Sequence, residues 1–176
     1  QYGEINADFA LIVSNHRTLE PIAETFGVPF FYVPVTPETK EAAENKVLDL
    51  FQAHHVDFVV LARYMQILSE AFTSQYQNGI INVHHGLLPA FKGARPYHQA
   101  YEHGVKIIGA TSHYATADLD MGPIIEQQTV RVDHTHSVET LVAMGRDIER
   151  NVLSAAVKAH ADDRIMVYRR RTIVFR

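Results

Sequence analysis

Asn82 and His84 are two polar residues at a spacing of two, at the end of a short apolar run (80–83) typical of a buried strand. Side chains alternate along a strand, so both are expected on the same face. An amide donor beside a titratable ring suits a carbonyl whose oxygen gains negative charge during a reaction. The alternative is that both side chains only satisfy the backbone of the loop that follows.

A second polar cluster spans residues 113–120 and follows another predicted strand. Its His113 and Asp120 offer an imidazole and a carboxylate for proton transfer. Ligands of open α/β sheets bind outside the carboxyl ends of the strands, where this cluster is expected to meet Asn82 and His84. Asp120 could equally be a turn residue that bonds to its own backbone.

A third segment, residues 62–69, directly follows the apolar run 56–61 and is expected at the same edge of the sheet. Its Met, Ile and Leu side chains, with the backbone amides, could hold a flat heterocycle. The alternative is that these apolar residues simply begin the next helix.

Apolar runs with strand character alternate with segments of helical periodicity along the chain. The predicted strands are 9–13, 30–35, 56–61, 80–83, 105–114 and 123–132, and the predicted helices are 19–26, a helix capped by Thr36, 69–76, 96–103 and 137–161. This order predicts an α/β fold: a mostly parallel, Rossmann-like open sheet with helices on both faces. The last apolar segments, 165–168 and 172–175, predict a terminal hairpin or two edge strands.

Composition excludes several classes of protein. The 176 residues suit one core, and no repeat or linker divides them, so one domain is expected. A net charge of −4 argues against a nucleic-acid partner. The chain has no cysteine and no apolar run of membrane-spanning length, so a cytoplasmic protein without membrane association is expected. The 11 histidines lack the spacing of a zinc motif, so no metal site is predicted.

Four separated segments resemble, in the same order, the folate-dependent formyltransferase superfamily. They are 61–68 (LARYMQIL), 81–89 (INVHHGLLP), 93–100 (GARPYHQA) and 113–125, which contains DMGPII. The resemblance covers essentially the whole chain, and residues 85 and 93–100 are most similar to the deformylase branch. Gly86 departs from that branch, in which Ser is frequent at this position.

The resemblance implies a formyltransferase-like catalytic domain over residues 1–176 with Asn82, His84 and Asp120 as its catalytic triplet. The residues that it implies for substrate binding are Met65, Gln66, Ile67, Leu68 and His113. The fold's first strand with its Gly-rich loop, and an ACT-type regulatory domain, are expected to lie ahead of Gln1.

The reaction implied is hydrolysis of 10-formyltetrahydrofolate to formate and tetrahydrofolate, in the one-carbon supply of purine synthesis. The folate is the substrate, no cofactor is implied, and a homo-oligomer is expected. Three alternatives stay open: formyl transfer to an amine such as glycinamide ribonucleotide, a non-catalytic folate-binding module, and a His-dependent metallohydrolase. Spacing does not assign the acid and the base within the triplet.

Overall fold

The computed structural model describes residues 4–89 and 95–176. The strands are β1 (Ile12–Ser14), β2 (Phe30–Tyr32), β3 (Val59–Leu61), β4 (Ile80–His84), β5 (Ile107–Tyr114), β6 (Ile124–Arg131), β7 (Ile165–Tyr168) and β8 (Arg171–Val174). The helices are α1 (Glu20–Thr25), α2 (Lys40–Ala53), α3 (Glu70–Gln75), α4 (Pro96–Glu102) and α5 (Val138–Ala161). Two compact units contain these elements, one made of Ala7–Asp57 and one that contains Phe58–Arg176. A single catalytic domain over the whole chain stays a prediction.

In the smaller unit, β1 and β2 pair in parallel and α1 packs against β2. The predicted cap of the second helix is wrong by one turn, because α2 begins at Lys40 rather than after Thr36. The Thr36 N–H donates to Thr39 Oγ1 at 2.9 Å, and the Thr39 N–H donates to the Thr36 carbonyl at 3.2 Å. These bonds close a separate turn, which delays the helix.

In the larger unit, β3, β4, β5 and β6 form one sheet in that order. The α/β class and the open sheet are confirmed, and the sheet is mixed. Strand β3 runs parallel to β4, whereas β5 is antiparallel to both of its neighbours. The connection between β5 and β6 is too short for a helical crossover, so the chain must return antiparallel. Strands β7 and β8 form the terminal hairpin.

The long helix α5 packs against β4, β5 and β6 and also contacts α4. It begins at the residue after Ser137, whose hydroxyl accepts a hydrogen bond from the Thr140 N–H at 3.3 Å. Its buried face consists of Leu141, Gly145, Ile148, Val152, Ala156 and Ala159. Within the part of the chain that the structure describes, no helix is long and apolar enough to cross a membrane.

Candidate active site

The pairing of β4 with its two neighbours assembles the first part of the site. Leu61, the last residue of β3, lies beside Asn82, and His113 of β5 lies directly opposite Asn82. His113 was expected to arrive from the carboxyl end of a strand. Strand β5 is antiparallel to β4, however, so the carboxyl end of β5 lies beside the amino end of β4. Lateral pairing, rather than a shared carboxyl edge, therefore brings His113 to Asn82.

His113 is a buried ring with a defined hydrogen-bonding pattern. Its Nδ1 lies 2.9 Å from the Tyr114 carbonyl oxygen, which can only accept, so Nδ1 carries the hydrogen. Burial lowers the pKa of His113 more than the Tyr114 carbonyl and the Asp120 charge raise it, which favours the neutral ring. Nε2 then accepts from the Asn82 amide nitrogen, 3.3 Å away. The contact fixes the plane of the Asn82 amide.

Asp120 reaches the same place from the loop between β5 and β6. Its Oδ2 lies 3.2 Å from His84 Nδ1, and its Oδ1 lies 3.5 Å from His113 Nε2. The side chains of Asp120 and His84 are 8% and 9% exposed, so their interaction is weakly screened by water. The structure therefore brings Asn82, His84, Asp120 and His113 together, and the roles assigned to them stay predictions.

The backbone of Asp120 has φ +56, a left-handed conformation that Asp and Asn tolerate better than most residues. Two residues later, a Cβ built on Gly122 would lie 1.7 Å from the Tyr114 carbonyl oxygen. The loop can thus lie against the end of β5 only because residue 122 has no side chain. This close approach holds Asp120 beside the two imidazoles.

Replacing Gly122 with Ala is expected to lower the free energy of unfolding by about 1–3 kcal/mol or more, because the new Cβ would meet backbone that cannot swing away. Urea denaturation measures this change. The control is Gly79→Ala, where the nearest atom to the new Cβ lies 3.4 Å away. Equal stability of the two variants would show that the loop yields easily.

The segment of Met65, Gln66, Ile67 and Leu68 leaves β3 at the end where Leu61 lies beside Asn82. Met65 and Ile67 are exposed by 78% and 52%, whereas Leu68 is buried. Helix α3 begins only at Glu70, with the Ser69 hydroxyl accepting from the Phe72 N–H. The segment is therefore a loop rather than the start of the helix, and its role in binding a ligand stays a prediction.

A group of three polar residues beside the site, His85, Tyr97 and Glu149, was not predicted from the sequence. Glu149 Oε2 lies 2.9 Å from His85 Nδ1, and Glu149 Oε1 accepts from the Tyr97 hydroxyl at 2.8 Å. Glu149 is next to Ile148 on the buried side of α5, and its side chain is 12% exposed. A carboxylate at the margin of an apolar helical stripe is the sequence signal that could have indicated it.

The arrangement suits chemistry on a carbonyl group. It combines an oriented amide donor, Asn82, with an imidazole, His84, that is paired to the carboxylate of Asp120. Such groups stabilise a developing oxyanion and move protons. Among residues 4–89 and 95–176, no group of three or more His, Asp or Glu side chains is arranged to hold a metal ion.

Comparison with known proteins identifies the family of the chain. Residues 1–157 match the family model described as formyl transferase. The chain is 54% identical over 98% of its length to a formyltetrahydrofolate deformylase from Synechocystis. It superposes with a TM-score of 0.94 on a deformylase crystal structure from Pseudomonas syringae pv. tomato (48% identity, 98% of this chain and 58% of that one). The TM-score is 0.90 for glycinamide ribonucleotide transformylase 1 of Symbiobacterium toebii (33% identity, 99% and 84% of the two chains).

The chain covers a smaller share of the deformylases than of the transformylase. The chain spans 61% of the Synechocystis deformylase and 58% of the one from Bacillus subtilis, to which it is 51% identical. The matches nevertheless extend over nearly all of this chain, and they confirm the resemblance seen in its four sequence segments. The chain belongs to the formyl transferase family.

Proposed function

We propose that the protein hydrolyses 10-formyltetrahydrofolate to formate and tetrahydrofolate. The observation that carries this proposal is the contact between His84 and Asp120, with the Asn82 amide held beside them by His113. The deformylase relatives, about half identical over almost the whole chain, favour water over an amine as the attacking group.

In this mechanism, water attacks the formyl carbon and the carbonyl oxygen gains negative charge. One amide hydrogen of Asn82 is directed to His113, and the other would donate to this oxygen. A protonated His84, paired with Asp120, would provide the second donor. An oriented donor of this kind typically contributes roughly 10²- to 10³-fold in rate.

Asp120 would accept a proton from the attacking water. The tetrahedral adduct then collapses: the carbonyl re-forms, the bond between carbon and N10 breaks with its electron pair going to N10, N10 gains a proton, and formic acid leaves and ionises to formate in solution. Asp120, with its paired imidazole His84, would deliver that proton to N10. Positioned proton transfer contributes about 10²- to 10⁴-fold.

The segment from Met65 to Leu68 would bind the pterin ring, with the exposed Met65 and Ile67 side chains as its apolar contacts. The folate is a substrate, so the proposal includes no cofactor. We further expect a cytoplasmic homo-oligomer that takes part in one-carbon supply to purine synthesis and has no nucleic-acid or membrane partner.

The product of the purified protein tests this function. With 10-formyltetrahydrofolate and no amine, formate and tetrahydrofolate are expected to appear in equal amounts. The fold shared with glycinamide ribonucleotide transformylase 1 makes formyl transfer the second candidate. A transferase would form formylated glycinamide ribonucleotide when this amine is added and would release no formate when the amine is left out. Folate binding without either product would show a binding module.

A further inference from the structure

A carboxylate on α5 connects two segments that flank the site. Each oxygen of Glu149 has its own donor: Oε2 contacts His85 Nδ1 at 2.9 Å, and Oε1 accepts from the Tyr97 hydroxyl at 2.8 Å. His85 directly follows the predicted catalytic residue His84, and Tyr97 lies in the first turn of α4. The two contacts therefore join the end of β4, the start of α4 and the middle of α5.

The surroundings keep this carboxylate ionised and its partners in place. Burial alone would raise the pKa of Glu149, but hydrogen bonds with His85 and Tyr97 and the charge of Arg63 hold it below its usual value. Burial, followed by the bond to Glu149, raises the pKa of the Tyr97 hydroxyl, which therefore keeps its hydrogen. A carboxylate between two donors is a strong, directional contact.

Tyr97 has little freedom to move away from Glu149. Its side chain is 7% exposed, and its ring lies against Gly145 of α5. A Cβ added to Gly145 would lie 2.1 Å from Tyr97 Cζ. The absence of a side chain at Gly145 thus allows the ring to reach Glu149 one helical turn further along.

His84, the last residue of β4, and His85, which directly follows it, have different partners. His84 contacts Asp120 of the β5–β6 loop, whereas His85 contacts Glu149 of α5. The backbone between two anchored side chains cannot rotate without breaking one of the contacts. A shift of His85 would therefore be passed through one peptide unit to the imidazole that faces Asp120.

We propose that Glu149 is a positioning residue: through His85, and with Tyr97 holding it in place, it fixes the His84 ring against Asp120. The proposal rests on the proposed function. In Glu149→Gln the side chain keeps its size, but the new NH₂ group faces a donor and one contact is lost. We expect kcat to fall about 10- to 100-fold with KM changed less than about 3-fold, as for a small displacement of a reacting group.

The matched control is Asp147→Asn, which removes the same charge from the same helix. Asp147 is exposed, and its carboxylate pairs with Arg150, which lies one turn further along the same helix. Its kcat and KM are expected to stay unchanged. Unchanged kcat in Glu149→Gln would overturn the proposal, as would a loss of kcat/KM that comes from KM alone.

A second pair of variants tests the path through His85. The amide nitrogen of an Asn side chain can replace Nδ1 as a donor, whereas Leu offers none. His85→Asn is therefore expected to retain most of kcat, and His85→Leu to lose it about as far as Glu149→Gln. The double variant His85→Leu with Glu149→Gln should be no worse than either single one. Losses that multiply would show that the two residues act separately and would overturn the proposal.

Nuclear magnetic resonance of the His84 ring decides the proposal without reference to turnover. Glu149→Gln is expected to shift the ring signals of His84, and Asp147→Asn to leave them in place. If the unsubstituted protein releases no formate, the proposed function fails, yet a shift confined to Glu149→Gln still supports the positioning role. Unshifted His84 signals in Glu149→Gln would overturn the positioning role whatever the activity.

Discussion

Asp120→Asn is expected to lower kcat about 10²- to 10⁴-fold, because an amide cannot accept the proton of the attacking water or stabilise a cationic His84. The substitution preserves the side-chain volume. It also suits the backbone, since Asn tolerates the φ of +56 at this position. Folate binding is expected to stay largely intact, so the loss should lie in turnover.

Single-turnover kinetics and a folate-binding titration separate these two effects. The control is Asp118→Asn, the same change at an exposed position of the same loop, which is expected to retain full turnover. Turnover of Asp120→Asn within about twofold of the unsubstituted protein would remove Asp120 from the chemistry. It would favour the alternative that this residue only shapes a turn.

Asn82→Leu is expected to lower kcat roughly 10²- to 10³-fold, because it removes a donor from the position where the oxyanion would form. Leu is similar in size to Asn, so the strand should still pair. His113 Nε2 would also lose the amide that contacts it at 3.3 Å. The KM for the folate is expected to change much less than kcat, since the donor acts mainly in the transition state.

Steady-state kinetics of Asn82→Leu and of Asn151→Leu check this expectation. Asn151 lies on the exposed side of α5, so the same substitution there should leave kcat unchanged. If Asn82→Leu kept more than about a fifth of the original kcat, its side chain would serve the backbone of the β4 loop rather than the reaction.

The features predicted well from the sequence have local causes. Ser137 followed by an apolar stripe at helical spacing indicated α5, which begins at the next residue. The spacing of two between Asn82 and His84 at the end of an apolar run indicated a buried strand with both side chains near one site. Here backbone geometry decides side-chain direction, so the sequence is sufficient.

The features predicted poorly depend on contacts between distant parts of the chain. Strand β5 is buried along almost its whole length, so it lacks the alternation typical of antiparallel strands, and the sequence does not indicate that it runs antiparallel to β4. Glu149 and His85 lie far apart in the sequence and meet only in the folded chain. No local pattern specifies that meeting, because it requires the packing of α5 to be known.

The register of β4 and β5 has a practical consequence for handling the protein. Asn82 and His113 meet because they are opposite each other in the ladder, and a slip by a single residue would turn one of them to the far side of the sheet. Molecules with that error would show an ordinary circular dichroism spectrum and be inert. Refolded preparations should therefore be compared by their specific activity. Circular dichroism alone would overestimate the fraction of active molecules.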